Sequence, residues 1–304
     1  MIRIGLLLFA LACITPAAAR TLQVGPNQPY KLPSAAIAEA RDGDTVRIAA
    51  GKYADCAVVS ASNVVIEGTG ASTVLTDKIC DGKALLVTAG ANITVRNLTL
   101  TRARVPDHNG AGIRAEGKGL TIEQVKFIDD EEGILAGPIP DGIITIRDSE
   151  FIHDGSCEGD CAHGVYAGVI ALLHVEHSRF FETQRAHHIK SRALRTEVIG
   201  CDISDGAAGT ASYEIEAPNG GSLVVRDNTI EKGPQAENHT AVIMIGSEGV
   251  NRPTPEITVE HNTVRNDGSF PTVFVYNMTT TRAVLKGNKL FGTIEPLHGD
   301  GTVE

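Results

Sequence analysis

The chain has 304 residues, with 27 basic against 37 acidic side chains and a net charge of −10. That balance excludes a nucleic-acid partner, which needs a basic footprint. It leaves room for an anionic ligand in a locally cationic groove. The 42% apolar content is enough for a core.

Arg3 is followed by the apolar run Ile4 to Ile14, then Pro16 and Ala17-Ala18-Ala19. A charged start, a short apolar core and a small-x-small site read as a secretory signal peptide over 1–19, cut after Ala19. A lipoprotein cut before Cys13 is the alternative, with Ala10 where Leu is usual. The run is too short to span a membrane and no other stretch is long enough, so there is no membrane span. The expectation is a secreted or periplasmic protein with a mature chain of 20–304. Losing Arg3 leaves 26 basic residues against 37 acidic, a charge of −11.

"LPSAAIAEARDGDTVRIAAGKY" (32–53) reads as a short amphipathic helix, a turn at Asp42-Gly43-Asp44 and a strand from Thr45 to Ala49. Export permits disulfides. Five cysteines remain after cleavage, and Cys56–Cys80 and Cys157–Cys161 are candidate pairs, leaving Cys201. A metal site at CEGDC lacks a second cysteine pair.

From residue 64 one phrase recurs: apolar-x-apolar-x-x-x-x-apolar. It reads ITVRNLTL (93–100), LTIEQVKF (120–127), ITIRDSEF (144–151), LHVEHSRF (173–180), TEVIGCDI (196–203), LVVRDNTI (223–230), ITVEHNTV (257–264) and AVLKGNKL (283–290). The third positions, from Val95 to Leu285, are 27, 24, 29, 23, 27, 34 and 26 residues apart. Short alternating strands with a period in the twenties indicate a solenoid, each coil burying its apolar residues against the next. The expected fold is all-β, a single-domain right-handed parallel β-helix with a short N-terminal capping helix over the first coil. Asn228, Asn262 and Asn288 hold the sixth position in successive coils and should hydrogen-bond along the stack. Cys201 shares that position and should be a buried free thiol.

A second strand precedes each phrase: AGIRAEG (111–117), EGILAGP (132–138), HGVYAGV (163–169), HHIKSRA (187–193) and YEIEAPN (213–219). Ile113, Ile134, Val165, Ile189 and Ile215 should point inward, and alternation sends their neighbours outward. One outward column is then Arg114, Leu135, Tyr166, Lys190 and Glu216. A second is Gly112, Gly133, Gly164, His188 and Glu214, and a third is Glu116, Gly137, Gly168, Arg192 and Pro218. The glycines form a shallow floor beside a basic wall of His188, Lys190 and Arg192, with His163 at its edge. The bland alternative is that Lys190 and Arg192 form surface ion pairs with Glu216 and Glu214. The run IDDEEG (128–133) reads as a solvated acidic turn, with cation binding or hydrolase carboxylates as alternatives.

Segment 32–53 resembles the N-terminal segment of the pectate-lyase-like superfamily of right-handed parallel β-helices. "IKSR" (189–192) is similar to the strand of alginate and dermatan lyases in which the lysine is the base; it lands on Lys190. Those relatives hold calcium with acidic residues just upstream, where this chain has Thr183 and Arg185. Their arginine one coil later is replaced by Glu214 and Glu216. "HG" at His163-Gly164 followed by "HHIKSR" is similar to alginate C5-epimerases, without their Asp-Pro-His motif.

The expected partner is therefore an acidic polysaccharide and the expected activity a polysaccharide lyase working by β-elimination. A C5-epimerase, a glycoside hydrolase and a non-catalytic glycan-binding protein are the alternatives. Removing a proton α to a carboxyl group requires that the carboxylate be neutralised and that a base take the proton. Arg192 supported by His188 is the candidate for neutralising the carboxylate, Lys190 the candidate base and Tyr166 or His163 the candidate acid, and these roles can permute. Arg114, His187, Glu214 and Glu216 contact substrate. No metal ligand is assigned and no cofactor is required, Ca2+ being the one implied by the resemblance; a His163/His187/His188/Glu214 metal site is disfavoured because adjacent histidines on a strand point to opposite sides. The protein should act as a monomer.

Overall fold

The computed structural model describes residues 18–304, so the expected leader lies outside them except for its last two residues. The strands pair in parallel, coil on coil, as a parallel β-helix. One sheet of ten strands runs from Ala57–Val59 to Ile294–His298, and the other faces merge into a sheet of twenty.

The repeat phrase maps onto the coils residue by residue. Val95, Ile122, Ile146, Val175, Val198, Val225, Val259 and Leu285 are successive register partners. All are between 0% and 1% exposed. The spacing of three between the phrase's third and sixth positions has a backbone cause. The fifth residue of every phrase, Asn97, Gln124, Asp148, His177, Gly200, Asp227, His261 and Gly287, has φ between 49° and 63°. Left-handed backbone turns the chain through a corner, and Asn, Asp, His and Gly tolerate it best. The sixth residue then faces inward. Phe127, Phe151 and Phe180 follow it and stack with ring centroids 4.5 and 4.6 Å apart.

The sixth column carries a polar ladder. Asn262 Nδ2 donates to Asn288 Oδ1 (2.9 Å) and to the Val225 carbonyl (3.0 Å), while Asn262 Oδ1 accepts from Asn228 Nδ2 at 2.9 Å. Asn228 Oδ1 accepts the Cys201 N–H at 2.8 Å. On the other side of Cys201 the column continues as Ser178 and Ser149, whose hydroxyls donate to carbonyls two residues back, as the Cys201 thiol does to Ile199. Cys201 is buried and free, and Cys56–Cys80 and Cys157–Cys161 are paired.

The N-terminal helix spans Pro33–Glu39, starting on the proline that suits a first turn. Ala36 and Ile37 are buried in the continuous core that runs from Leu22 to Leu285. The helix thus covers the open first coil, and Asp55 Oδ2 accepts the Ser34 N–H at 2.8 Å to hold its start.

The run IDDEEG is not solvated, contrary to expectation. Asp130, Glu131 and Glu132 are 1%, 6% and 2% exposed; Asp129 alone of the four acids pairs at the surface, with Arg104. Glu131 Oε2 accepts the Val105 and Gly110 N–H groups, tying down the intervening loop. Asp130 sits beside Asp154 of the next coil, which accepts the Asp130 N–H at 2.9 Å. The Oδ2 atoms of both have no hydrogen-bond partner among the described residues. Burial, with the Asp129 charge, raises Asp154 to about 8 against the opposing effects of Arg104 and His188.

Two outcomes are expected. Asn262→Ala should cost about 3 kcal/mol in urea unfolding by leaving buried partners unsatisfied, while Cys201→Ser should change stability by less than about 1 kcal/mol, since serine already occupies that column. A carboxyl whose native value is raised to about 8 contributes stability fully present below the unfolded value near 4, and loses it as pH rises through the native one. The melting temperature should therefore fall between about pH 5 and pH 8.5, and the fall should be smaller in Asp154→Asn, as read by thermal denaturation across that range.

Candidate active site

The outer face of the ten-stranded sheet gathers most of the expected residues around one cavity of about 480 Å3, lined by Glu132, His163, Tyr166, Lys190 and Arg192, with Asp160 of the Cys157–Cys161 loop at its rim. Leu135, Tyr166, Lys190 and Glu216 are successive register partners, as the column reading requires. Arg114 heads that column and lines an adjoining hollow with Tyr166 and Arg192.

The second column faces the other way. A Cβ on Gly112 would lie 2.7 Å from the Phe127 ring, and one on Gly133 would lie 2.7 Å from Phe151. These glycines therefore make room for the interior phenylalanine stack and are not a groove floor. His188 and Glu214 follow them inward and are 0% exposed. The physical reason is the corner at the start of each strand. Two consecutive side chains, such as His188 and Ile189, both point inside there, so simple alternation fails. His187 takes the outward place assigned to His188. Its ring stacks 4.8 Å from His163 and lies 5.1 Å from Tyr213, extending the column that begins with Glu132.

His188 instead closes a buried ion cluster. Its Nε2 lies 3.1 Å from both Asp205 Oδ1 and Glu214 Oε2, its Nδ1 is 2.7 Å from Thr183 Oγ1, and Lys232 Nζ is 3.3 Å from Glu214 Oε1. Burial opposes charge on His188, but hydrogen bonds and charges from Asp205 and Glu214 outweigh it and raise the imidazole to about 9. Two cations thus face two carboxylates in this buried cluster. Glu214 is therefore not a substrate contact. His188, Asp205 and Glu214 are the described residues that converge as metal ligands. A histidine nitrogen and a neighbouring ammonium do not suit calcium, which takes six to eight oxygens. Upstream, Thr183 is spent on His188 and Arg185 faces Glu237, so the calcium implied by the resemblance finds no carboxylate set there.

At the surface, Lys190 Nζ is 3.0 Å from Glu216 Oε2, the ion pair of the bland reading. Arg192 does not reach Glu214. It pairs instead with Glu248, whose Oε2 is 2.7 Å from Arg192 Nη2 and whose Oε1 is 2.7 Å from Lys190 Nζ. One carboxylate thus bridges both cations. Arg192 Nε also donates to Tyr166 Oη at 2.8 Å, and its Nη1 donates to Asn219. Glu216 is further held by His187 Nε2 at 3.1 Å and Ser247 Oγ at 2.6 Å. Burial would raise Glu216, yet His187 and Lys190 prevail and hold it at about 2.

His163 is buried, and that burial, with the charges of His187, Lys190 and Arg192, drives it well below the ordinary histidine range. Its Nδ1 accepts the His187 N–H at 3.1 Å. The neutral ring therefore carries its proton on Nε2 and offers a donor, not a base. Sequence reasoning missed Glu132, Asn219 and Glu248. Glu132 was within reach by reading the column two places before each inward residue. Asn219 and Glu248 come from loops whose arrival no periodicity announces.

No protein-family model matches the sequence, and no curated protein matches it. Solved structures do. An alginate lyase from Paenibacillus sp. str. FPU-7 superposes with a TM-score of 0.58 at 17% identity, covering 91% of this chain and 99% of its own. A rhamnogalacturonan lyase reaches 0.60 at 11% identity, covering 94% and 87%, and the pectate lyase Pel9A 0.57 at 13%, covering 95% and 78%. At such identities the likeness concerns the backbone: this chain has the pectate-lyase-like parallel β-helix fold.

Proposed function

We propose that the protein is a polysaccharide lyase that binds a uronate carboxylate between Lys190 and Arg192 and cleaves the chain by β-elimination. The observation that carries this reading is Glu248: a carboxylate already bridges the two cations at 2.7 Å to each. The lysine–arginine pair is therefore spaced for a bidentate carboxylate. Glu248 is 41% exposed on a loop bounded by Gly246 and Gly249, both at positive φ, and a substrate carboxylate takes its place. The lyases of the same fold act on polysaccharides, which agrees with this substrate class.

In the elimination, the C5–H bond and the C4–O4 bond break, a C4=C5 double bond forms, and O4 takes up a proton. Neutralising the carboxylate stabilises the negative charge that builds on it as the proton leaves. Lys190, clamped between Glu216 and the bridging carboxylate, serves as a fixed cation and not as the base that the lyase resemblance makes it. The C5 proton passes to Tyr166, a cavity-lining residue whose Oη accepts the Arg192 N–H at 2.8 Å; the phenol first gives its own proton to solvent, which frees the oxygen to take the one from C5. His163 contributes its Nε2–H as a donor to the developing anion. His187 orients Glu216 and with it Lys190.

A panel of alginate, pectate and glycosaminoglycans, with and without chelator, tests the reading through the ultraviolet absorbance of the unsaturated uronate product. Lys190→Ala should lower turnover at least about 100-fold with a small change in melting temperature. Arg192→Lys should raise KM and lower kcat, because an ammonium cannot hold Tyr166, Asn219 and a carboxylate together. Full activity of Lys190→Ala sinks the assignment. Deuterium exchange at C5 without cleavage identifies an epimerase instead, and saturable binding without either identifies a glycan-binding protein.

Glu248→Ala provides an independent check. If the internal carboxylate fills the receptor about nine tenths of the time, its removal should tighten binding of an acidic oligosaccharide roughly tenfold, with kcat preserved. A weaker affinity would show that Glu248 belongs to the receptor and is not a stand-in for its ligand.

A further inference from the structure

We infer that Glu132 is a catalytic acid of this site, donating its carboxyl proton to the glycosidic oxygen as that oxygen leaves; the inference rests on the lyase reading above. Glu132 lines the same cavity as Lys190, Arg192 and Tyr166 and belongs to the outward column continued by His163 and His187. Coil stacking sets it about 4.8 Å from the position of His163. It is only 2% exposed, and its Oε1 has no hydrogen-bond partner among the described residues. An ionised carboxylate left in that state is costly, whereas a neutral carboxyl group keeps an O–H to give. Burial moves Glu132 well above the ordinary carboxylate range, against smaller opposing effects of the Arg114 charge and the His163 backbone N–H.

The basic and aromatic cavity groups have duties that exclude this one, and Asp160, the other carboxylate of the lining, is exposed on the rim loop and lacks the burial that keeps Glu132 protonated. Lys190 and Arg192 hold carboxylates, Tyr166 is bound to Arg192, and neutral His163 is too weak an acid to release its Nε2 proton. A leaving sugar oxygen is strongly basic, and a carboxyl group tuned upward toward the working pH is an effective donor to it. The balance closes without a further reactant. The Glu132 O–H bond breaks and an O4–H bond forms as C4–O4 breaks, the electrons of the C5–H bond become the C4=C5 bond, and the C5 proton goes to Tyr166, which has first released its own phenol proton to solvent. The Glu132 carboxylate then faces the Arg114 charge and the His163 backbone N–H until solvent returns a proton.

The test compares two substrates: the native glycan that the panel identifies, and an oligouronate carrying fluoride at C4, a leaving group that needs no acid. Glu132→Gln should lower kcat on the native glycan about 100-fold or more, with KM within about twofold, yet cleave the fluoride at close to the wild-type rate. Equal losses on both substrates, or no loss on the native glycan, overturn the inference. A wild-type measurement needs no variant to fold: kcat on the native glycan should decline as pH rises and Glu132 ionises, and the fluoride should lack that decline. A decline shared by both substrates overturns the assignment. Absence of unsaturated product from the wild type on every glycan overturns the lyase reading itself, and this inference with it.

Discussion

In a parallel β-helix each residue lies about 4.8 Å from its counterpart one coil away, so no side chain can be chosen apart from the column it joins. Aliphatic columns satisfy this by packing, from Val95 through Leu285. Polar columns satisfy it by hydrogen bonding: asparagine suits because its amide donates to one coil and accepts from another, as Asn262 does toward Asn288 and Asn228. Cys201 fits between serine and asparagine because a thiol is small and donates weakly to the same carbonyl position. Titratable columns are harder to satisfy, and the molecule resolves them in two different ways.

Inside the coil the solution is charge balance or neutrality. His188 and Lys232 face Asp205 and Glu214, two cations against two carboxylates. Asp130 and Asp154 form no ion pair among the described residues, and burial moves both upward against the smaller opposing charge of Arg104, so the neutral form is favoured. Charged groups are tolerated in the dry interior only on these terms. On the outer face of the same strands, solvent and a loop provide the second solution. Lys190 and Arg192 stand two residues apart on one coil, and Glu248 of a later coil pairs with both. That partner is 41% exposed, in contrast to Glu216, which is 3% exposed and held by His187 and Ser247.

The cavity itself is assembled from three coils and two loops, one carrying Asn109. Glu132, His163 and Tyr166 come from strands whose outward faces stack, and the Cys157–Cys161 loop brings Asp160 to the rim. Rigid strands thus set the polar groups, and the loops at Asn219 and Glu248 trim the open side. A site placed on a solenoid face in this way is positioned by backbone register more than by local side-chain packing, which keeps its donors and cations in line along the coil axis.

Much of this was legible in the residues. Apolar positions recurring every twenty-odd residues determine coil register, because a slip by one would drive charges such as Arg96, Glu123 and Arg147 into the core. The asparagine ladder, the capping segment and the column from Arg114 to Glu216 follow from the same periodicity. The orientation of His187 and His188 does not. Alternation assumes unbroken extended backbone, and at the coil corner it is the space beside the phenylalanine stack, kept open by Gly112 and Gly133, that decides which histidine turns inside. Burial of the acidic run also escapes a local reading, since whether Asp130 and Glu132 meet water depends on Asp154 and His163 one coil away. Glu248 lies 58 residues from Lys190 and reaches it through a loop, so only the folded chain brings that carboxylate to the two cations.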